Sequence, residues 1–105
     1  MAVATQHVRV GLAQFNPVVG DIAGNSRRIL EMYATADKAN CDIVVFPELS
    51  ITGYPPEDLV LKSGFVAENQ QAMRDIVAAT QGCVAVFGFV ADSLRCGHEF
   101  HVPVT

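Results

Sequence analysis

The clearest candidate for chemistry is one carboxylate, Glu48, which comes directly after a short apolar run. Ile43 to Phe46 are four consecutive apolar residues, Pro47 follows them, and Glu48 is next. Such a run is typical of a strand that is buried on both faces of a parallel sheet. A carboxyl group at the partly buried rim of a sheet can be tuned by desolvation to act as a general base near neutral pH. The alternative is structural, with Glu48 capping a helix N-terminus or pairing with an arginine.

A second group of chemically capable residues comes late in the sequence. Cys96, His98 and His101 are three residues of metal-ligand type within a short stretch. A structural zinc site takes four ligands, and no second pair with zinc-finger spacing exists, so we expect no metal here. The odd number of cysteines disfavours a disulfide framework and favours a reducing compartment, the cytoplasm. We expect Cys83 to be buried and inert in an apolar strand, and Cys41 to pack at a helix–strand junction.

The remaining polar candidates have simple structural interpretations. Arg27 and Arg28 could meet an anion at a helix N-terminus, but a solvated helix face explains them more simply. Glu57 and Asp58 are suited to capping the next helix. The sequence contains neither a GxxxxGK[ST] phosphate loop nor a GxGxxG motif, so no motif indicates nucleotide binding.

The elements that must position Glu48 alternate as strand, helix, strand, helix, strand. The patterns predict strands over 7–15, 42–46 and 83–90, and helices over 25–38 and from 63 or 65 to 80. Such alternation predicts an α/β fold with parallel strands joined by right-handed crossovers. Ligands bind at the carboxyl ends of the strands of an open parallel sheet. Segments 14–17 and 47–49 occupy that edge.

Local signals support both helices. Asn25 is a suitable N-cap, and Asn40 suits the helix exit because asparagine tolerates the left-handed conformation. The last fifteen residues, 91–105, fit no clear element. Apolar residues repeat on one face of each predicted helix, with Ile29, Met32, Tyr33 and Ala36 in the first and Phe65, Ala72, Met73, Ile76 and Thr80 in the second.

Composition excludes several classes of protein. Half of the 105 residues are apolar and 17% are charged, which excludes a disordered chain. The net charge is −4 and the basic residues are scattered, which argues against nucleic-acid partners and against an anionic membrane surface. No apolar run is long enough to span a bilayer, and no secretory signal is visible.

Two stretches of the chain carry a family resemblance. The segments AQFNPVVGDIAGN and DIVVFPELSITGYPPEDLVLKSGF resemble the nitrilase superfamily of carbon–nitrogen hydrolases. The general signal is a strand ending in Ala-Gln and a later strand ending in Phe-Pro-Glu. Gly20-Asp21 with Asn25, and the run TGYPPEDL at 52–59, resemble more narrowly the N-terminal glutaminase domains of glutamine-dependent NAD synthetases. The resemblance covers about 8–90.

The resemblance implies a fold and a reaction. The fold is a four-layer αββα sandwich, of which this chain would be the N-terminal part, a partial hydrolase domain with an atypical tail at 91–105. The reaction is glutamine hydrolysis by a Glu–Lys–Cys set, with Glu48 as the general base. The ammonia would then amidate deamido-NAD in a separate domain that uses ATP and magnesium; no cofactor is expected in this chain. The intact enzyme would be a homo-oligomer.

The resemblance does not supply the other catalytic residues. Neither Lys38 nor Lys62 stands where the family has its lysine, and no cysteine stands in the nucleophile motif. We therefore expect the chain alone to be inactive. Two alternatives stay open, a fragment of another nitrilase-superfamily amidase and a small non-catalytic α/β binding module. If the second sheet of the sandwich is missing, a face drawn from Ile43, Val45, Val84, Val86 or their neighbours would lie open.

Overall fold

Short strands and long helices alternate along the chain, as the sequence predicts. The computed structural model of the chain describes residues 6–62, 64–90 and 100–101. In chain order the elements are β1 Val10–Leu12, α1 Ile22–Lys38, β2 Ile43–Val45, the 3-10 helix η1 Glu57–Leu61, α2 Phe65–Ala79, β3 Val84–Gly88 and β4 Phe100–His101.

The sheet has the order β1-β2-β3-β4. Strands β1, β2 and β3 are parallel, and in the central row Gly11, Val44 and Ala85 stand side by side. Strand β4 pairs antiparallel with β3. The parallel α/β class is therefore confirmed, whereas the expectation that 91–105 holds no clear element is wrong for Phe100–His101.

Both helices pack on one face of the sheet. They contact each other as well as the strands beneath them, because each helix buries an apolar stripe. The helical residues in this core include Ile29 and Tyr33 from α1 and Phe65 and Ile76 from α2. Thr80, directly after α2, is also buried. Three further residues that were predicted for the inner faces are half-buried at the margin of the core: Met32, Ala72 and Met73. The largest strand side chain in this core is Phe87, which is 1% exposed.

The other face of the sheet has no layer over it among the described residues. Val10 and Leu12 of β1 are 51% and 71% exposed. Their neighbours across this face are half-buried: Ile43, Val45, Val84 and Val86. The expectation that β2 is buried on both faces is therefore wrong here, because only Val44 points into the helical layer. Among the described residues, the predicted open face is exposed at Val10 and Leu12, whereas the four residues named for it, Ile43, Val45, Val84 and Val86, are half-buried.

The start of α1 differs from the prediction. The helix begins at Ile22, and its N-cap is Asp21, whose side chain accepts a hydrogen bond from the Gly24 N–H at 3.0 Å. Asn25 is therefore not the N-cap but a buried residue of the helix. The left-handed conformation of Asn40 after the helix, with φ 62°, is confirmed. Within the described ranges, neither helix is long and apolar enough to cross a bilayer.

Candidate active site

The carboxyl ends of the parallel strands meet at one edge, and Glu48 lies there. The Ala13 N–H donates to the Val45 carbonyl at 2.8 Å, and the Phe46 N–H donates to the Val86 carbonyl at 2.9 Å. These bonds continue the ladder past the end of β1 and of β2. Glu48 therefore follows the central strand, between the segments that follow its two neighbours, as the sequence predicts.

The backbone after Glu48 forms a tight turn. Leu49 adopts φ 49°, which is uncommon for a residue with a side chain. The Ser50 hydroxyl donates to the Pro47 carbonyl, and the Gly53 N–H donates to the Leu49 carbonyl at 2.8 Å. Ser50 and Thr52 are fully buried. The turn thus fixes the backbone on both sides of Glu48, which is the kind of support that a catalytic side chain needs.

Two glycines let other segments approach this turn closely. A Cβ on Gly88, at the end of β3, would lie 2.9 Å from the Leu49 nitrogen. A Cβ on Gly53, whose φ is 82°, would lie 2.6 Å from the Cα of Val19. Contacts this short do not occur for real side chains, so both positions require glycine for the observed packing. The Glu48 turn is therefore enclosed by β3 on one side and by the segment before α1 on the other.

The buried amide of Asn25 joins the segment after β1 to the segment after β2. Its Oδ1 accepts from the Val18 N–H at 2.8 Å, while its Nδ2 donates to the Val18 carbonyl at 2.8 Å and to the Ile51 carbonyl at 2.9 Å. The side chain is 2% exposed. A buried amide normally has its hydrogen-bonding groups satisfied, and here the partners belong to two different loops. Asn25 thus holds the two loops to one another.

Glu48 itself is exposed, which differs from the partly buried rim that we predicted. The two structural alternatives were a helix cap and an arginine pair. Within residues 6–62 and 64–90 its carboxylate makes no hydrogen bond and no ion pair. Among these residues Glu48 is therefore an exposed carboxylate on a hydrogen-bonded turn. Its role as a general base remains a prediction.

The other charged candidates among the described residues lie on the helices or next to them. Arg27 and Arg28 are exposed on α1, and Arg28 pairs with Glu31 at 3.5 Å, which fits the solvated face that we expected. Glu57 and Asp58 begin η1 rather than α2, whose N-cap is Gly64. The two lysines are exposed, with Lys38 ending α1 and Lys62 following η1.

The cysteines lie where packing was expected. Cys83 is buried just before β3, and Cys41 is half-buried between α1 and β2; both are free thiols. The Tyr33 hydroxyl donates to the Cys83 carbonyl at 2.8 Å. Burial raises the pKa of the Cys83 thiol, and it also raises the pKa of the Tyr33 phenol. Neither group lies at the carboxyl edge.

Most of the possible metal ligands lie outside the described residues. Cys96 and His98 lie outside the described residues, and His101 is placed only as part of β4. In the part of the chain that the structure describes, no three His, Cys, Asp or Glu side chains form a group that could hold a metal ion.

Sequence reasoning assigned Asn25 to the helix cap and did not single out Asn69, and so missed that both are buried amides. Both lie on the inward stripes of their helices, with Asn25 three residues after Ile22 and Asn69 four residues after Phe65. A polar side chain at an apolar position of a helix was the available signal. Its bonding partners depend on how the loops fold over the helix, which periodicity does not reveal.

Comparison with known proteins gives a family match over most of the chain. A family model described as carbon-nitrogen hydrolase matches residues 9–98. A protein of Xanthomonas campestris named glutamine-dependent NAD(+) synthetase is 51% identical over 89 residues, which are 84% of this chain and 16% of that protein. The chain thus spans only about one-sixth of the length of the first curated relatives that it matches.

Solved structures agree with this match. The glutamine-dependent NAD(+) synthetase of Cytophaga hutchinsonii superposes with a TM-score of 0.77 at 30% identity, over 83% of this chain and 15% of that chain. An amidase from Nesterenkonia superposes with a TM-score of 0.78 at 18% identity, over 95% of this chain and 38% of that one. The second likeness shows a shared fold alone.

Proposed function

Because the chain belongs to the carbon–nitrogen hydrolase family, we propose that it is part of the glutaminase domain of a glutamine-dependent NAD synthetase, with Glu48 as its general base. The observation that carries the proposal is the place of Glu48, on a rigid turn at the carboxyl end of the central parallel strand. The names of the most similar relatives support the choice of glutamine as substrate.

The reaction would be a covalent amide hydrolysis. A cysteine from another segment of the domain would lose its proton to Glu48 and attack the side-chain amide carbon of glutamine. A lysine, also from elsewhere in the domain, would stabilise the oxyanion. Glu48 would return the proton to the leaving ammonia, leaving a thioester, and would then take a proton from the water that releases glutamate.

Glu48 is suited to this role because its backbone is held while its carboxylate is accessible. The turn bonds and the close approach of Gly88 fix the residues on either side of it. Its side chain is exposed at the sheet edge where α/β proteins bind ligands. On this proposal the 105-residue chain alone would not hydrolyse glutamine, because no cysteine in it stands in the family's nucleophile position.

The proposal extends to the setting of the enzyme. The ammonia would pass to an ATP- and magnesium-dependent domain that amidates deamido-NAD. The two described cysteines are free thiols, which supports a reducing compartment, and we place the enzyme in the cytoplasm as a homo-oligomer.

The test uses a hybrid enzyme, in which the 89 matching residues of this chain replace their counterparts in the Xanthomonas campestris relative. We expect Glu48→Gln to lower glutamine-dependent NAD synthesis by at least about 100-fold, the low end for general base catalysis, and to leave ammonium-dependent synthesis intact. The control is Glu68→Gln, which removes the same charge from an exposed position on α2.

Three results would contradict the proposal. Equal loss of both activities in Glu48→Gln would make Glu48 structural. Retention of glutamine-dependent synthesis would exclude it as the base. If the hybrid folds but hydrolyses other amides or nitriles in preference to glutamine, the chain belongs with another carbon–nitrogen hydrolase.

A further inference from the structure

Asn25 ties together the two loops that lie at the sheet edge. We propose that Asn25 is a positioning residue, which sets where the Glu48 carboxylate stands by holding the turn that follows it. The inference rests on the proposed role of Glu48. It is independent of helix capping, because the N-cap of α1 is Asp21.

The three hydrogen bonds of Asn25 require an amide. The Val18 N–H needs an acceptor, and the carbonyls of Val18 and Ile51 each need a donor. A carboxamide provides one acceptor and two N–H donors on one planar group, whereas an ionised carboxylate provides no donor and a hydroxyl only one. At 2% exposure, a missing partner could not be replaced readily by bulk water. The residue type therefore matches this particular set of partners.

The connection from Asn25 to Glu48 is short. Ile51 is three residues after Glu48, inside the same turn. The turn is closed by the bonds from Ser50 to Pro47 and from Gly53 to Leu49. Releasing the Ile51 carbonyl would therefore loosen the backbone that carries Glu48.

The two loops are also joined directly. The Gly20 N–H donates to the Thr52 carbonyl at 2.8 Å, and Gly53 packs against the backbone of Val19. Together with the Asn25 bonds, these contacts make 18–20 and 51–53 one unit. Asn25 attaches this unit to α1, which rests on the core through Ile29 and Ala36. Helix α1 thus helps to position Glu48, although Glu48 lies outside that helix.

The experiment uses the same hybrid enzyme. We expect Asn25→Ala to lower kcat for glutamine-dependent synthesis about 10- to 100-fold, the range for a displaced catalytic group, with little change in the KM for glutamine. Ammonium-dependent synthesis should be unchanged. Glu48→Gln should remove one limb of the pH profile of kcat/KM. In Asn25→Ala we expect the same limb to shift along the pH axis, because the surroundings of Glu48 change. A loss of folded protein would lower kcat without moving that limb.

The matched control removes another buried hydrogen bond. Tyr33→Phe deletes the bond from Tyr33 to the Cys83 carbonyl, at the amino-terminal end of β3 and away from Glu48. We expect this variant to keep the kcat and the pH profile of the unsubstituted hybrid.

In Asn25→Asp, activity relative to the unsubstituted hybrid should rise as the pH falls, because only the protonated carboxyl can donate to a carbonyl.

Hydrogen exchange gives a readout that does not depend on activity. In Asn25→Ala the amides of 48–53 should exchange faster, while in Tyr33→Phe they should not. Unchanged exchange in 48–53, or a kcat and pH profile equal to those of Tyr33→Phe, would overturn the inference. Faster exchange in a hybrid whose Glu48→Gln variant keeps full glutamine-dependent activity would uphold the link between Asn25 and the turn but overturn the proposed function.

Discussion

The side chain of Asn69 pairs with both backbone groups of Val90. Its Oδ1 accepts from the Val90 N–H at 3.2 Å, and its Nδ2 donates to the Val90 carbonyl. Asn25 makes the same pair of bonds to Val18. Val18 follows β1 and Val90 follows β3, the two neighbours of β2. The segment after each of these two strands is therefore held to a helix by a buried amide. An amide suits this task because it presents a donor and an acceptor side by side, as a neighbouring strand does.

The first prediction concerns Asn69. We expect Asn69→Leu in the hybrid enzyme to destabilise the segment around Val90 by about 1–3 kcal/mol, because a backbone N–H and a carbonyl lose their partner. Hydrogen exchange of the peptides that contain Val90 measures this as a lower free energy of local opening. Gln71→Ala is the control, since the bonds that Gln71 makes among the described residues go to exposed side chains of the same helix. Equal effects of the two substitutions would contradict the prediction.

The second prediction concerns Gly88. A Cβ at this position would stand 2.9 Å from the Leu49 nitrogen, so Gly88→Ala must displace the Glu48 turn. We expect at least a roughly tenfold loss of glutamine-dependent synthesis in the hybrid, with ammonium-dependent synthesis retained. Gly64→Ala is the comparison, because its φ of 83° strains the substituted backbone outside the Glu48 turn while a Cβ there meets nothing within 4 Å. Full activity of Gly88→Ala would mean that the turn can move without consequence for Glu48.

The third prediction concerns thiol reactivity. The thiolate is the reactive form of cysteine, and burial both raises the pKa of Cys83 and restricts access to it. We expect iodoacetamide to label Cys83 at least about tenfold more slowly than the half-buried Cys41 in the native hybrid at pH 8. A raised pKa leaves less thiolate at any given pH, so Cys83 labelling should keep rising beyond the thiol's ordinary pKa of about 8.5.

Peptide mapping by mass spectrometry resolves the two sites. Labelling in denaturant should abolish the difference between them, because both thiols are then solvated. Faster labelling of Cys83 than of Cys41 in the native protein would contradict the packing described here.

The fourth prediction concerns the open sheet face and uses the full 105-residue chain. Burial of apolar area is worth about 25 cal/mol per Å², so leaving Val10, Leu12 and their neighbours in water gives up several kcal/mol of a typical stability of about 5–15 kcal/mol. Exposed apolar patches also promote association. We expect oligomers or aggregates in size-exclusion chromatography with light scattering. Leu12→Lys should reduce this association.

Leu61 provides the control for that experiment. It is 82% exposed, more than Leu12, but it lies in η1 and not on the sheet. Leu61→Lys should therefore leave the association unchanged. A monomeric unsubstituted chain with a cooperative thermal transition would contradict the prediction and favour an independent binding module.

Periodicity predicted the parts of this fold that depend on local pattern. The alternation of strands and helices, the parallel pairing and the shared edge of Glu48 all follow from where apolar residues repeat. The strands were predicted too long, since β1 spans only Val10–Leu12. Ladder pairing stops where the loops turn away, and this depends on tertiary contacts.

The beginning of α1 shows why the support of the site could not be predicted. Asp21 and Asn25 are both good N-cap residues, and Gly24 between them weakens the helical pattern. The sequence does not say which of the two caps the helix. In the structure the Asn25 amide donates instead to the carbonyl of Ile51, 26 residues further along the chain, and Asp21 caps the helix. The exposure of Glu48 was mispredicted for a related reason, because burial depends on what packs around a residue in space.

The order of the strands in the sheet has a consequence for synthesis. Because β1, β2, β3 and β4 are neighbours in space in the same order as in the chain, each strand pairs with the one translated just before it. After β1, no strand among these has to wait, unpaired, for a partner that the ribosome has yet to make. The sheet can therefore be extended strand by strand as the polypeptide emerges, with α1 and then α2 covering each new addition.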